Sequence, residues 1–158
     1  MFSGLELEYK EFQNEFSNYY ENYFTLRQKQ NFKLDLIWQS MRYSFDSGGK
    51  RFRPFLSYLV AKTFLTESQK ISSIALACEM VHTYSLIHDD LPCMDNDDFR
   101  RGIETNHRKF GEDVALLAGD ALQAEAVVVG EGKAIGVRGS LVGSICSLVD
   151  DIGARVGD

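Results

Sequence analysis

The chain has 158 residues, of which 44% are hydrophobic and 25% charged, which suits one modest soluble domain with a real core. Its net charge of −6 argues against a general nucleic-acid binder or membrane-surface protein, because phosphate groups attract the opposite sign. Cys78, Cys93 and Cys146 lie far apart, with neither zinc-type nor disulfide-framework spacing, and fit a reducing, cytoplasmic setting.

The opening residues include Glu6, Glu8, Lys10 and Glu11, so no apolar signal peptide is expected, and no apolar run reaches the length of a membrane span. From Leu5 to Leu26, Tyr9, Phe12, Phe16, Tyr19, Tyr20 and Tyr23 recur at three- and four-residue steps, which predicts an amphipathic helix with an aromatic packing face. A second helix is expected from about Leu34 to Phe45, stopped by Gly48-Gly49, since glycine tolerates the left-handed turn that ends a helix. Pro54 suits the first turn of a third helix through Thr63, where its missing N–H costs nothing. A fourth helix is expected over Ile71–His88, stopped by Pro92, and a fifth from a cap at Thr105 or Asn106 through Asp113 to about Val129. With no alternating strand pattern, the fold class is all-α. Residues 127–158 hold seven of the thirteen glycines, each costing about 1 kcal/mol relative to alanine inside a helix, so a domain over 1–126 and an atypical glycine-rich tail over 127–158 are expected.

Between the fourth and fifth helices runs His88-Asp89-Asp90-Leu91-Pro92-Cys93-Met94-Asp95-Asn96-Asp97-Asp98-Phe99-Arg100-Arg101-Gly102. Aspartates this crowded repel one another unless cations stand between them, and Mg²⁺ takes carboxylate ligands while sharing its other positions with substrate phosphates. The arginines that follow carry the planar fork of donors that matches phosphate. An EF-hand loop begun at Asp95 needs glycine and glutamate where Arg100 and Asn106 stand, so a calcium loop is excluded. Upstream, Ser47-Gly48-Gly49-Lys50-Arg51-Phe52-Arg53-Pro54 sets three cations between a glycine turn and a helix N-terminus, a place that favours anions. It is not a P-loop, which needs glycine at Ser44 and a hydroxyl residue at Arg51. A solvated basic loop is the competing reading of these cations. His82 sits two turns before Asp89 on one helical face, and Tyr84 and Ser85 fit either a pocket descending from a metal end or plain core packing.

Gly48-Gly49-Lys50-Arg51-Phe52-Arg53-Pro54, Tyr84-Ser85-Leu86-Ile87-His88-Asp89-Asp90-Leu91-Pro92, Asp95-Asn96-Asp97-Asp98-Phe99-Arg100-Arg101-Gly102, Thr105-Asn106-His107 and Gly119-Asp120-Ala121-Leu122 occur in an order and spacing that closely resemble the trans-polyprenyl diphosphate synthases, especially the bacterial farnesyl group. The resemblance covers about residues 5–126; Glu104 stands where that family usually has proline. It implies an isoprenoid-synthase-like helical bundle, truncated or internally deleted after the fifth helix, which condenses isopentenyl diphosphate with dimethylallyl or geranyl diphosphate using Mg²⁺. Asp89 and Asp95 are similar to the metal ligands of the first aspartate motif, which also includes Asp90. Lys50, Arg53 and His82 resemble the isopentenyl diphosphate contacts, with Arg101 a further one, and Arg100 resembles the allylic diphosphate contact. Tyr84, with Ser85, matches the position that limits product length and implies a fifteen-carbon product. The family's habit implies a homodimer. The resemblance breaks in the tail: Asp150-Asp151 begin an echo of the second aspartate motif, but Ala154 stands where an aspartate is needed, and Gly136–Gly143 resembles a glycine-rich segment arriving too early. A prenyltransferase and a non-catalytic diphosphate-binding partner subunit are therefore both expected readings, with little or no turnover by 158 residues lacking the facing carboxylates.

Overall fold

The computed structural model describes residues 2–64 and 68–132. Six α-helices are found among them: α1 Phe2–Gln30, α2 Asp35–Asp46, α3 Phe52–Phe64, α4 Ser68–Asp89, α5 Asn106–Phe110 and α6 Glu112–Gly132, with a single 3₁₀ turn at Phe32–Leu34. The expected Asp150-Asp151 echo and the Gly136–Gly143 segment fall outside the described residues; residues 127–132 of the expected tail continue α6. No described helix is long and apolar enough to cross a membrane.

Two compact units form. Of the described residues, one gathers 2–22, 51–64, 68–79 and 126–132; the other gathers Tyr23–Lys50 and Met80–Glu125. In the first, the aromatic stripe of α1 is a packing face, as its spacing predicts. Phe12 stacks on Phe16 with centroids 5.3 Å apart and meets Phe55 and Tyr58 of α3, while Tyr9 meets Phe55 edge-on at 4.9 Å. Such pairs add about 0.5–1.5 kcal/mol each beyond the area they bury. Ala61 of α3 joins Ile71, Ile74 and Cys78 of α4 in an aliphatic cluster. Every residue of α4 from Ile71 to Met80 is buried, so this stretch has no solvent face and behaves as a core helix. In the second unit, Phe24 meets Trp38 edge-on and packs on Phe45, both on α2.

Two expectations change. The single helix expected from Thr105 to Val129 breaks at Gly111, whose φ of 95° and ψ of 156° turn the chain before α6 restarts at Glu112. Thr105 does not cap α5 with its side chain; its hydroxyl donates instead to the Asp97 carbonyl at 2.7 Å. Second, Phe99–Arg100 (β1) and Ile103–Glu104 (β2) form a two-stranded antiparallel hairpin, pairing Phe99 with Glu104 and Arg100 with Ile103. Its turn, Arg101-Gly102, has positive φ at both residues, which matches the right-handed twist of a tight hairpin. Two-residue strands are too short to leave an alternating pattern.

α5 is tied down through Asn106, which is 2% exposed. Its amide donates to the Ser40 carbonyl (2.9 Å) and Ser44 hydroxyl (2.7 Å) and accepts from the Ser40 hydroxyl (2.7 Å). Asn106→Leu is expected to cost about 2–4 kcal/mol, because it strands the buried Ser40 groups as well as losing three bonds; urea unfolding measures it.

Candidate functional site

The glycine turn after α2 is built for close approach. Gly48 and Gly49 have φ of 91° and 125°, and a Cβ on Gly49 would lie 2.7 Å from the Arg101 guanidinium nitrogen Nη1. That guanidinium rests against Gly49 and donates to the Gly48 carbonyl, so the hairpin following the acidic cluster is fastened to the glycine turn. Lys50 next to it is exposed. Arg51 adopts a left-handed backbone (φ 50°), and α3 starts as the Phe55 N–H donates to the Arg51 carbonyl at 3.1 Å. Pro54 falls in the first turn of α3, two residues after its start, where no N–H is needed. Arg53 is half-buried. Arg51 is not presented with the other cations: its guanidinium pairs with Glu79 of α4, the two side chains being 13% and 5% exposed.

The acidic cluster folds back over the end of α4. The Asp95 N–H donates to the Asp89 carbonyl at 2.8 Å, and Met94 and Asn96 N–H groups donate to the Leu91 carbonyl at 2.8 and 3.1 Å. Asn96 sits in the left-handed region (φ 55°), an angle asparagine tolerates better than most residues. Asp89 and Asp95 are thereby neighbours at a helix C-terminus, whose dipole disfavours negative charge and favours cations. Neither carboxylate has a hydrogen-bond or ion-pair partner among the described residues. No cluster of three or more His, Cys, Asp or Glu groups suited to holding a metal is found among those residues either.

Asp90 has a different surrounding. It is 3% exposed and takes the Arg100 fork: Nε lies 2.9 Å from both carboxylate oxygens and Nη2 2.6 Å from Oδ1. The hydrogen bonds that Arg100 donates to Asp90 raise its pKa; partial burial opposes this, and the charges of Asp90, Asp97 and Asp89 add to it. Arg100 is thus permanently charged and held at the mouth of the acidic loop, with Asp97 at 3.8 Å. Beneath the pair is a cavity of about 20 Å³ lined by Ser44, Ser47, Thr83 and Asn106, wide enough for a water but far too small for a prenyl chain. Thr105 supports the loop's exit, with its N–H on the Asp98 carbonyl (3.0 Å), its hydroxyl on that of Asp97, and the His107 ring nitrogen Nδ1 3.1 Å away.

His82 is half-buried on α4, and the Ser85 hydroxyl donates to its carbonyl at 2.9 Å, within the helix. Tyr84 meets His88 edge-on with centroids 5.8 Å apart. His88 in turn lies over Gly119 of α6, with Nε2 3.1 Å from the Leu116 carbonyl. The Asp90–Arg100 pair, the Arg51–Glu79 pair and the His88–Gly119 contact join positions 10 to 31 residues apart, which spacing within one helix does not reveal. In the sequence, Gly119 is marked only by its motif.

A model of the polyprenyl synthetase family matches residues 35–133, more than half of the chain. The chain belongs to the polyprenyl synthetase family. Curated relatives include a chloroplastic geranylgeranyl pyrophosphate synthase of Catharanthus roseus, 49% identical over 77% of this chain and 39% of its own length. A farnesyl diphosphate synthase of Buchnera aphidicola is 46% identical over 70% and 40%. Among solved structures, a geranyltransferase of Legionella pneumophila superposes with a TM-score of 0.73 at 33% identity, covering 90% of this chain and 49% of that one. The isoprenoid-synthase fold expected from the sequence is thereby established for this all-α chain. The chain spans well under half the length of these curated relatives. Synthases of more than one product length stand among them, so family membership leaves the fifteen-carbon expectation unassigned.

Proposed function

We propose that this chain carries the first acidic wall of a Mg²⁺-dependent prenyltransferase site that joins isopentenyl diphosphate to an allylic diphosphate and releases pyrophosphate. The observation that carries this reading is the pairing of roles in the acidic loop. Asp89 and Asp95 are linked through a backbone hydrogen bond and their carboxylates take no hydrogen bond or ion pair among the described residues, while Asp90 is spent on holding Arg100. Two hard carboxylates fit Mg²⁺, which binds through one or two of them and completes its shell with water and phosphate oxygens. When bound, the ion supplies a Lewis acid that draws negative charge from the leaving diphosphate.

The chain's own groups divide the rest. Arg100, fixed by Asp90, clamps the allylic diphosphate, and its charge is already in place as the carbon–oxygen bond breaks. Lys50, Arg53, His82 and Arg101 hold isopentenyl diphosphate, whose double bond attacks the allylic carbon before a proton is lost. Tyr84 and Ser85 mark the product-length position on α4, and the product proposed is farnesyl diphosphate, made by a homodimer. Tyr84→Ala in the active protein is expected to shift products beyond fifteen carbons, as read by chromatography of the dephosphorylated alcohols; an unchanged spectrum removes the assignment.

Titration of a non-hydrolysable geranyl diphosphate analogue into the purified chain, with Mg²⁺ and with EDTA, tests the wall itself. Binding at micromolar concentration that needs Mg²⁺ and falls at least tenfold in Asp89→Ala is expected. Mg²⁺-independent binding, or none, overturns the proposal. One relative, 46% identical, is named as the large subunit of a heterodimeric geranylgeranyl pyrophosphate synthase from Arabidopsis thaliana, which favours a second reading as a binding subunit. Radiolabelled isopentenyl diphosphate separates the two: a catalytic chain yields labelled prenyl product, a partner subunit only binds.

A further inference from the structure

Arg51 looks at first like one of three cations offered to phosphate, yet its side chain is turned away to a buried carboxylate, Glu79. Two features make this arrangement costly in isolation. A non-glycine residue holds φ of 50°, a conformation open to glycine at no steric penalty, and two charged side chains lose most of their water. Glycine would relax the first; an apolar pair would remove the second. A strained backbone and a desolvated ion pair at one residue, between an exposed lysine and a half-buried arginine, indicate that the turn's shape is being held.

We propose that Arg51 is a positioning residue for the diphosphate subsite: its pair with Glu79 locks the left-handed turn and so fixes Lys50 and Arg53 in the conformation that receives a diphosphate. This rests on the phosphate role given to those two cations above. The bridge fastens the segment just before α3 to α4 within their unit. Arg51 itself contributes no bond to the ligand. Lysine does not replace it, because a flexible, strongly hydrated ammonium does not hold the same direction as the planar guanidinium that meets Glu79 through Nη1.

The test is calorimetric binding of inorganic pyrophosphate with Mg²⁺ to the natural chain, to Lys50→Ala and Arg53→Ala, and to the double variant Arg51→Met/Glu79→Leu. The double variant replaces a buried ion pair by apolar groups of similar volume, which generally preserves or raises stability. It is expected to melt at or above the natural temperature while its dissociation constant for pyrophosphate rises at least tenfold. An unchanged constant in the folded double variant overturns the proposal, since a merely structural pair does not move it. If Lys50→Ala and Arg53→Ala leave the affinity of the natural chain unaltered, the phosphate reading fails first and takes this inference with it. Should the double variant not fold, Glu79→Gln decides instead: at least threefold weaker pyrophosphate binding supports the role, and equal binding refutes it.

Discussion

Arg100→Ala is expected to destabilise the chain by about 3–5 kcal/mol, because it strands a carboxylate in a nearly dry site. Asp90 is 3% exposed and the Arg100 fork supplies its hydrogen bonds. The reverse change is milder. Asp90→Asn leaves an arginine whose side chain is 30% exposed and is able to rehydrate, and the amide oxygen still accepts, so a loss of about 1 kcal/mol is expected. Urea denaturation of both variants measures the asymmetry, and equal losses would show that the pair is not controlled by the buried carboxylate. The sign of the pH dependence follows from Arg100. Its pKa is raised by Asp90, so its contribution is complete at every pH below its ordinary value and is lost only as pH rises through the raised one. The Arg100 contribution to stability is therefore flat across the neutral range.

Gly119→Ala should lower stability by about 2 kcal/mol through overpacking, although alanine is the better helix former. A Cβ at this position would lie 2.1 Å from His88 Nε2 and 2.4 Å from its Cδ2. The imidazole has little room to retreat, because its own nitrogen contacts the Leu116 carbonyl one turn earlier on α6. In a His88→Ala background the obstruction is gone and only helix propensity remains, so the same substitution should stabilise by about 1 kcal/mol. Thermal melts of the four proteins in this cycle give the sign in each background. A loss of the same size in both would mean that the histidine is not what Gly119 accommodates. His88 directly precedes Asp89, so the contact also fixes where the acidic end of α4 lies against α6 within their unit.

Period and punctuation made the helices legible. The aromatic steps of α1, the Gly48-Gly49 stop and the clustered aspartates each signal their role through neighbours three or four positions away. The break at Gly111 was visible as a glycine inside a helical pattern, but such a residue is often carried at modest cost, and only its positive φ decides the matter. Division of labour within the aspartates was less legible. Five identical side chains give no hint that Asp90 is drawn inward by an arginine ten residues later while Asp89 and Asp95, the proposed metal ligands, are not. Likewise, Arg51 reads as equivalent to Lys50 and Arg53 until Glu79, 28 residues on, is seen to claim it. Long-range electrostatic partners are chosen by the fold, and their sequence separation carries no period.

Arg51, Asn96 and Arg101 are the described non-glycine residues with left-handed backbone, and each belongs to a segment proposed to grip metal or phosphate. Random mutation followed by selection for heat resistance alone would reward apolar replacement of Arg51 and Glu79 together, whereas glycine at Arg51 alone strands the buried Glu79 carboxylate. Sturdiness and anion capture thus pull the residue choice in opposite directions at that turn, and a thermally improved descendant obtained without ligand in the screen should be checked first for what it no longer holds.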